Sequence, residues 1–211
     1  MRGPAALFPI AFALGAIILV PGAVAREPTV ITACQTISQP GRYLLANTIE
    51  MGGFGTCLTI TASGVTIDLD GFTVTGRTHA ILSFAQGITV KNGSAFSRDA
   101  EAVFLLGEGS KVTGLHVFQT FAGGGIVASG IIRGNVVKVI SVAPAISASG
   151  TVTDNFVSGS LTAGISANGI VRGNTATNNL VGIEVSAGSE VIDNTAADNT
   201  KTGYRWNAPL T

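Results

Sequence analysis

Charge is scarce in this chain. Only 11% of its 211 residues are Asp, Glu, Lys or Arg, too few for a solvated, disordered segment. The 12 basic residues balance the 12 acidic ones. A chain this close to neutral has no basic surplus with which to neutralise phosphates, so no nucleic-acid partner is expected. Helical periodicity is missing too: after residue 25 no stretch keeps apolar residues at i, i+3, i+4 for three turns. There are two cysteines, Cys34 and Cys57, and two histidines, His79 and His116. The histidines lie on different repeats with no ligand-type residue at metal-binding spacing, so neither a metal site nor a cofactor is expected. In an exported protein an isolated cysteine pair is expected to close a disulfide.

Export is what the first residues suggest. Arg2 is the only charge before Arg26, Ala5 to Val20 is almost wholly apolar, Pro21-Gly22 breaks the run, and Ala23-Val24-Ala25 is a small-x-small cleavage pattern. Residues 1–25 therefore read as a secretory signal peptide. The competing reading is an uncleaved anchor, because the uncharged run is long enough to span a bilayer; Pro4, Pro9 and Pro21 favour cleavage. No cysteine follows the cleavage site directly, so a lipoprotein anchor is not indicated. The expected product is periplasmic or extracellular, without a membrane attachment after cleavage. Its 186 residues (211 less 25) are one domain by length and carry 11 Lys and Arg (12 less Arg2) against 12 acidic groups.

A repeated phrase organises the second half of the chain. Gly125-Ile126, Ala145-Ile146, Gly164-Ile165 and Gly182-Ile183 each open a copy, and Ile132, Val152, Val171 and Val191 continue it. Three residues later stand Asn135, Asn155, Asn174 and Asn194, spaced by 20, 19 and 20. A period near 20 marks a solenoid. The copies are short Val/Ile/Thr runs broken by Gly, Ser, Asn and Asp, which read as strands and tight bends. The residue before each asparagine is Gly134, Asp154, Gly173 or Asp193, all types that tolerate left-handed backbone. The four asparagines are expected to form a structural ladder, each amide bonding to the coils above and below.

Taking Ile60, Ile81, Val103, Ile126, Ile146, Ile165 and Ile183 as equivalent gives seven coils, stacked in parallel. Residues 26–56 do not fit the repeat and read as an N-terminal cap pinned by Cys34–Cys57, with 57–211 forming the repeats. Gly203-Tyr204-Arg205-Trp206 begins one more coil and stops; Trp206, the only tryptophan, is expected to cover the open end of the core.

The Gly-Ile…Val-x-x-Asn phrases resemble the right-handed parallel β-helix proteins. The opening coil, Cys57-Leu-Thr-Ile-Thr-Ala-Ser-Gly-Val-Thr-Ile-Asp-Leu-Asp-Gly-Phe-Thr-Val-Thr-Gly76, preceded by Pro40-Gly-Arg-Tyr43, is similar to secreted bacterial repeat proteins of the pectate-lyase-like superfamily. The resemblance implies an all-β, right-handed parallel β-helix. It implies no single reaction, because the superfamily spans lyases, hydrolases, epimerases, adhesins and non-catalytic proteins. A leucine-rich repeat has a similar period, but leucine is scarce from Gly125 onward.

Candidate catalytic residues are Asp68, Asp70, Arg133 and Arg172. Asp68 and Asp70 flank Leu69, so an extended strand would put both carboxylates on one face about 7 Å apart, a spacing suited to a cation or to acid–base work on a sugar. Asp68 is also aligned with the asparagine column, which favours a bend. Arg133 and Arg172 share a column two coils apart, about 10 Å, where an arginine can meet a uronate carboxylate. Thr66, Thr89, Thr113 and Thr153 begin a column that Arg133, Arg172 and Ile192 interrupt, against an ice-binding face. The repeats from Gly125 hold few carboxylates, and no Asp-Pro-His-Asp phrase of the alginate epimerases is present. The expectation is a non-catalytic module binding an extended polysaccharide or a cell-surface component. The alternatives are a lyase, hydrolase or epimerase acting on uronate-type glycans, and a structural surface protein.

Overall fold

The computed structural model describes residues 27–119 and 121–207, which form short strands and turns with no helix. The segment read as a signal peptide lies outside the described residues. Every strand pairs in parallel with a strand about one coil away in sequence, and the chain winds as a β-solenoid with three faces. Face A begins with Thr29–Ile31 and ends with Glu190–Ile192, face B runs from Ile49–Glu50 to Thr195–Ala197, and face C from Gln35–Ile37 to Thr202–Asn207. About nine turns stack at a strand spacing of about 4.8 Å, a rod of about 43 Å.

Two turns are added to the seven expected, and both come from segments set aside as ends. Gln35–Ile37 pairs with Leu58–Ile60, and Gly41–Leu45 pairs with Val65–Asp68, so the segment read as a cap already lies on the three faces. Ile31, Ile37, Leu45 and Ile49 are its inward residues, all buried. At the other end Thr202–Asn207 pairs with Val181–Ser186, seating Tyr204 on Ile183 and Trp206 on Val185. Trp206 stands in the inward column at the end of the stack, and the Tyr204 hydroxyl donates to the Asn194 carbonyl at 2.6 Å.

The register corrects one alignment. Ile81 pairs with Leu58, not Ile60, and Lys91 pairs with Asp68. The first clear coil is therefore displaced by two residues from the expected equivalence. Thr66 and Thr89 stack on Lys111, whereas Thr113 and Thr153 stand in the next outward column with Asp68, Lys91, Arg133, Arg172 and Ile192. Asp68 thus belongs to the arginine column and not to the asparagine column. A slip of two keeps every side chain on its own side of the sheet, so alternation alone cannot detect it.

The interior is a set of aliphatic columns. On face A, Ile67, Val90, Val112, Ile132, Val152 and Val171 succeed one another with no exposed area; on face C, Leu58, Ile81, Val103, Ile126, Ile146, Ile165 and Ile183 do the same. Each such side chain contributes roughly 1.5–3 kcal/mol through burial.

Each corner solves its bend differently. Between A and B, Asp154 and Asp193 adopt φ of 57° and 51°, and Gly134 and Gly173 φ of 64°. The ladder follows. Asn155 Oδ1 accepts from the backbone N–H and the side-chain amide of Asn135, both at 2.9 Å, and Asn174 and Asn194 repeat the arrangement. Asn135, Asn155 and Asn174 are buried. Between B and C a second, shorter ladder appears: Asn199 Oδ1 accepts from Asn179, and Asn179 Oδ1 accepts from the Ser160 N–H. Between C and A the chain bends at Gly130, Gly150 and Gly169, with φ of 145°, 129° and 131°. A Cβ on Gly150 would lie 2.3 Å from the Gly130 carbonyl oxygen, so these three positions require glycine, whereas the turn before them carries Ser110 in the same column.

Cys34 and Cys57 form the expected disulfide, 23 residues apart. They precede the paired residues Gln35 and Leu58, so the bond staples two stacked turns beside the Gln35 N–H to Cys57 carbonyl hydrogen bond.

Candidate ligand-binding face

The charged candidates do not converge. Asp68 closes the strand Val65–Asp68, and Asp70 lies beyond it in a turn at φ 47°, so the two carboxylates do not share an extended strand. Asp68 Oδ1 accepts the Asp70 backbone N–H at 3.1 Å, Lys91 Nζ lies 2.5 Å from Asp68 Oδ2, and the Asn92 amide lies at 3.3 Å. Desolvation works against the charged form of Asp68. The hydrogen bonds from Lys91, the Asp70 backbone and Asn92, with the charge of Lys91, outweigh it and hold the carboxyl below its ordinary value. Asp68 is therefore an ionised partner of Lys91, poorly suited to hold a proton for an acid–base cycle.

Arg133 and Arg172 do occupy one outward column, separated by Thr153. Each is turned toward the aspartate of the next turn: Arg133 Nε lies 3.2 Å from Asp154 Oδ2, and Arg172 Nε lies 4.0 Å from Asp193 Oδ2. The same one-turn pairing joins Arg77 to Asp99 at 2.9 Å and Arg205 to Glu184. These exposed pairs fasten neighbouring turns weakly, at about 0–1 kcal/mol each. Among the described residues no three His, Cys, Asp or Glu side chains gather where an ion could sit.

A different feature does converge, on the third to fifth strands of face C. Their outward positions are Leu82 and Phe84, then Phe104 and Leu106, then Val127, in place of the Thr59 of the preceding turn or the Ser147 and Ser166 of later ones. Phe84 is 68% exposed. Its ring meets Phe104 edge to face at 6.0 Å, and the imidazole of His79 lies over Phe104 at 5.4 Å. His79 is held by Nδ1, which is 2.8 Å from the Glu101 carbonyl oxygen, with the Glu101 carboxylate at 3.8 Å. Beside Phe84 a groove of about 460 Å³ is lined by Thr59, Thr61, Ser63, Leu82, Ala85 and Gln86 among others. Nearby in the fold, the Arg77 guanidinium sits 3.5 Å over the ring of Phe54.

This aromatic shelf was not among the sequence candidates. Its signal was present: in Ile81-Leu82-Ser83-Phe84 the large residues fall on both parities, and the inward position goes to a serine that donates to the Ile60 carbonyl at 2.9 Å. A buried serine between two outward apolar residues marks a strand with an apolar outer surface. The Asn179–Asn199 ladder was also missed, because it spans only two turns.

No family model matches the chain, and no curated protein and no solved structure matches it.

Proposed function

We propose that this chain is an exported, non-catalytic β-solenoid module that binds an extended polysaccharide, or a similar cell-surface component, along face C. We further propose that it belongs with the right-handed parallel β-helices of the pectate-lyase-like superfamily. The observation that carries the binding reading is the shelf of Phe84, Phe104 and His79 beside a groove edged by Thr59, Thr61, Ser63 and Gln86. A pyranose ring has an apolar C–H face and hydroxyl edges. An exposed ring with hydroxyl and amide groups at its border meets both requirements, in the usual manner of a site with an apolar lining and few polar contacts. The disulfide supports an oxidising, exported setting. The enzyme alternative, a uronate lyase, hydrolase or epimerase, draws less support, because Asp68 is bound to Lys91 and Arg133 to Asp154.

Affinity electrophoresis through gels containing pectate, alginate or neutral glucans tests this reading. Retardation in one gel, lost in Phe84→Ala with the fold intact by circular dichroism, is the expected result. A cleared zone that vanishes in Asp68→Asn or Asp70→Asn would overturn it in favour of catalysis. Equal mobility in all gels would point instead to the structural role.

A further inference from the structure

A second exposed apolar surface lies on face B and the corner between B and C. On face B the outward residues include Phe118, Ile140 and Phe156. At the corner, the Leu161 N–H donates to the Ser141 carbonyl and the Leu180 N–H to the Ser160 carbonyl, so Val142, Leu161 and Leu180 form an outward column over three successive turns. These six side chains are between 37% and 69% exposed. None is needed to cover the interior, which the inward residues Val137, Val139 and Val157 already fill. This surface is distinct from the Phe84 shelf, which sits on face C.

We propose that this surface is the contact between two copies of the chain, packed side by side with their axes antiparallel. Three observations select a second copy. The first is area: six half-exposed side chains of this size present on the order of 600 Å², at the upper end of what a monomer leaves bare and near the roughly 800 Å² per partner of a standard interface. The second is spacing. The column rises by one strand separation per turn, about 4.8 Å, and the partner surface certain to share that spacing is the same solenoid; a two-fold axis across the rods matches the rows to each other. The third is charge: the chain is neutral overall, so two copies meet without net repulsion. Lys138, stacked on Phe118 and two residues before Ile140, lines this surface too.

The test is sedimentation equilibrium on the protein produced by export, its mass recorded so that the state of residues 1–25 is known. Wild type is expected to sediment as a dimer at micromolar concentration. Ile140→Lys with Leu161→Lys is expected to weaken association at least 100-fold and leave the circular dichroism spectrum and melting temperature within a few degrees. Phe84→Lys, on face C, is the control and is expected to remain dimeric. A monomeric wild type would overturn the proposal, as would a dimer that survives the double substitution. A monomer that floats with phosphatidylglycerol vesicles and loses this in the double variant would assign the surface to a membrane instead, which also overturns it.

Discussion

Replacing Asn155 by leucine tests the ladder where it is most enclosed. Leucine has the same number of heavy atoms in the same branched pattern, with bulkier methyl ends, so the change removes hydrogen bonds without opening a cavity. Asn155 Oδ1 accepts from the Asn135 N–H and the Asn135 amide, and Asn155 Nδ2 donates to the Ile132 carbonyl at 3.0 Å, to the Thr153 carbonyl and to Asn174 Oδ1. Two of the losses are covered: the Thr153 carbonyl still accepts the Gly134 N–H, and Asn174 Oδ1 still accepts the Asn155 N–H. The Asn135 N–H and one of its amide hydrogens lose their acceptor at a residue only 1% exposed, and the Ile132 carbonyl loses a donor. At about 1–3 kcal/mol for each of these three buried groups, the expected cost is roughly 3–9 kcal/mol. In urea, with a slope of about 2 kcal/mol/M, a loss of about 4 kcal/mol lowers the midpoint by about 2 M. Asn194→Leu, in the last and partly exposed rung, should cost clearly less. A loss below about 1 kcal/mol for Asn155→Leu, or one no greater than for Asn194→Leu, would refute the idea that buried amides hold the bend.

Gly150→Ala places a Cβ 2.3 Å from a backbone oxygen at φ 129°, whereas Gly134→Ala meets open space at φ 64°. The first should cost at least about 3 kcal/mol and the second about 1 kcal/mol, read from melting curves; equal costs would refute the close approach. Converting Cys34 and Cys57 together to serine should lower stability by about 3 kcal/mol on the loop-entropy estimate, read from urea midpoints of the oxidised parent and the variant. Asp68 has a folded pKa below its unfolded value near 3.9, so its stabilising contribution is present above about pH 4 and is lost as pH falls through the folded pKa. In Lys91→Met the drop in urea midpoint between pH 7 and pH 2 should shrink; an unchanged drop would show that Lys91 does not hold the carboxylate.

The amino-acid order sets the class of this fold. A period near 20, runs too short for helices, and Gly-Asn or Asp-Asn at one bend of each of four repeats leave a parallel solenoid as the arrangement that pairs the backbone and buries Ile and Val together. It also determined the asparagine ladder and the disulfide, since both depend on residue types whose chemistry has few uses at those positions. Register emerges only when whole turns stack. Val65 and Ile67 both point inward, so the identity of the one that meets Val90 depends on the stacking of whole turns, and with it the column to which Asp68 belongs. The fate of the charges was settled there as well: Lys91 follows Asp68 by 23 positions, and Asp154 follows Arg133 by 21, and they pair because one turn of the solenoid returns the chain to the same place. The shelf formed by Phe84, Phe104 and His79 arises in the same way, from three residues of two turns that become neighbours when the coils stack.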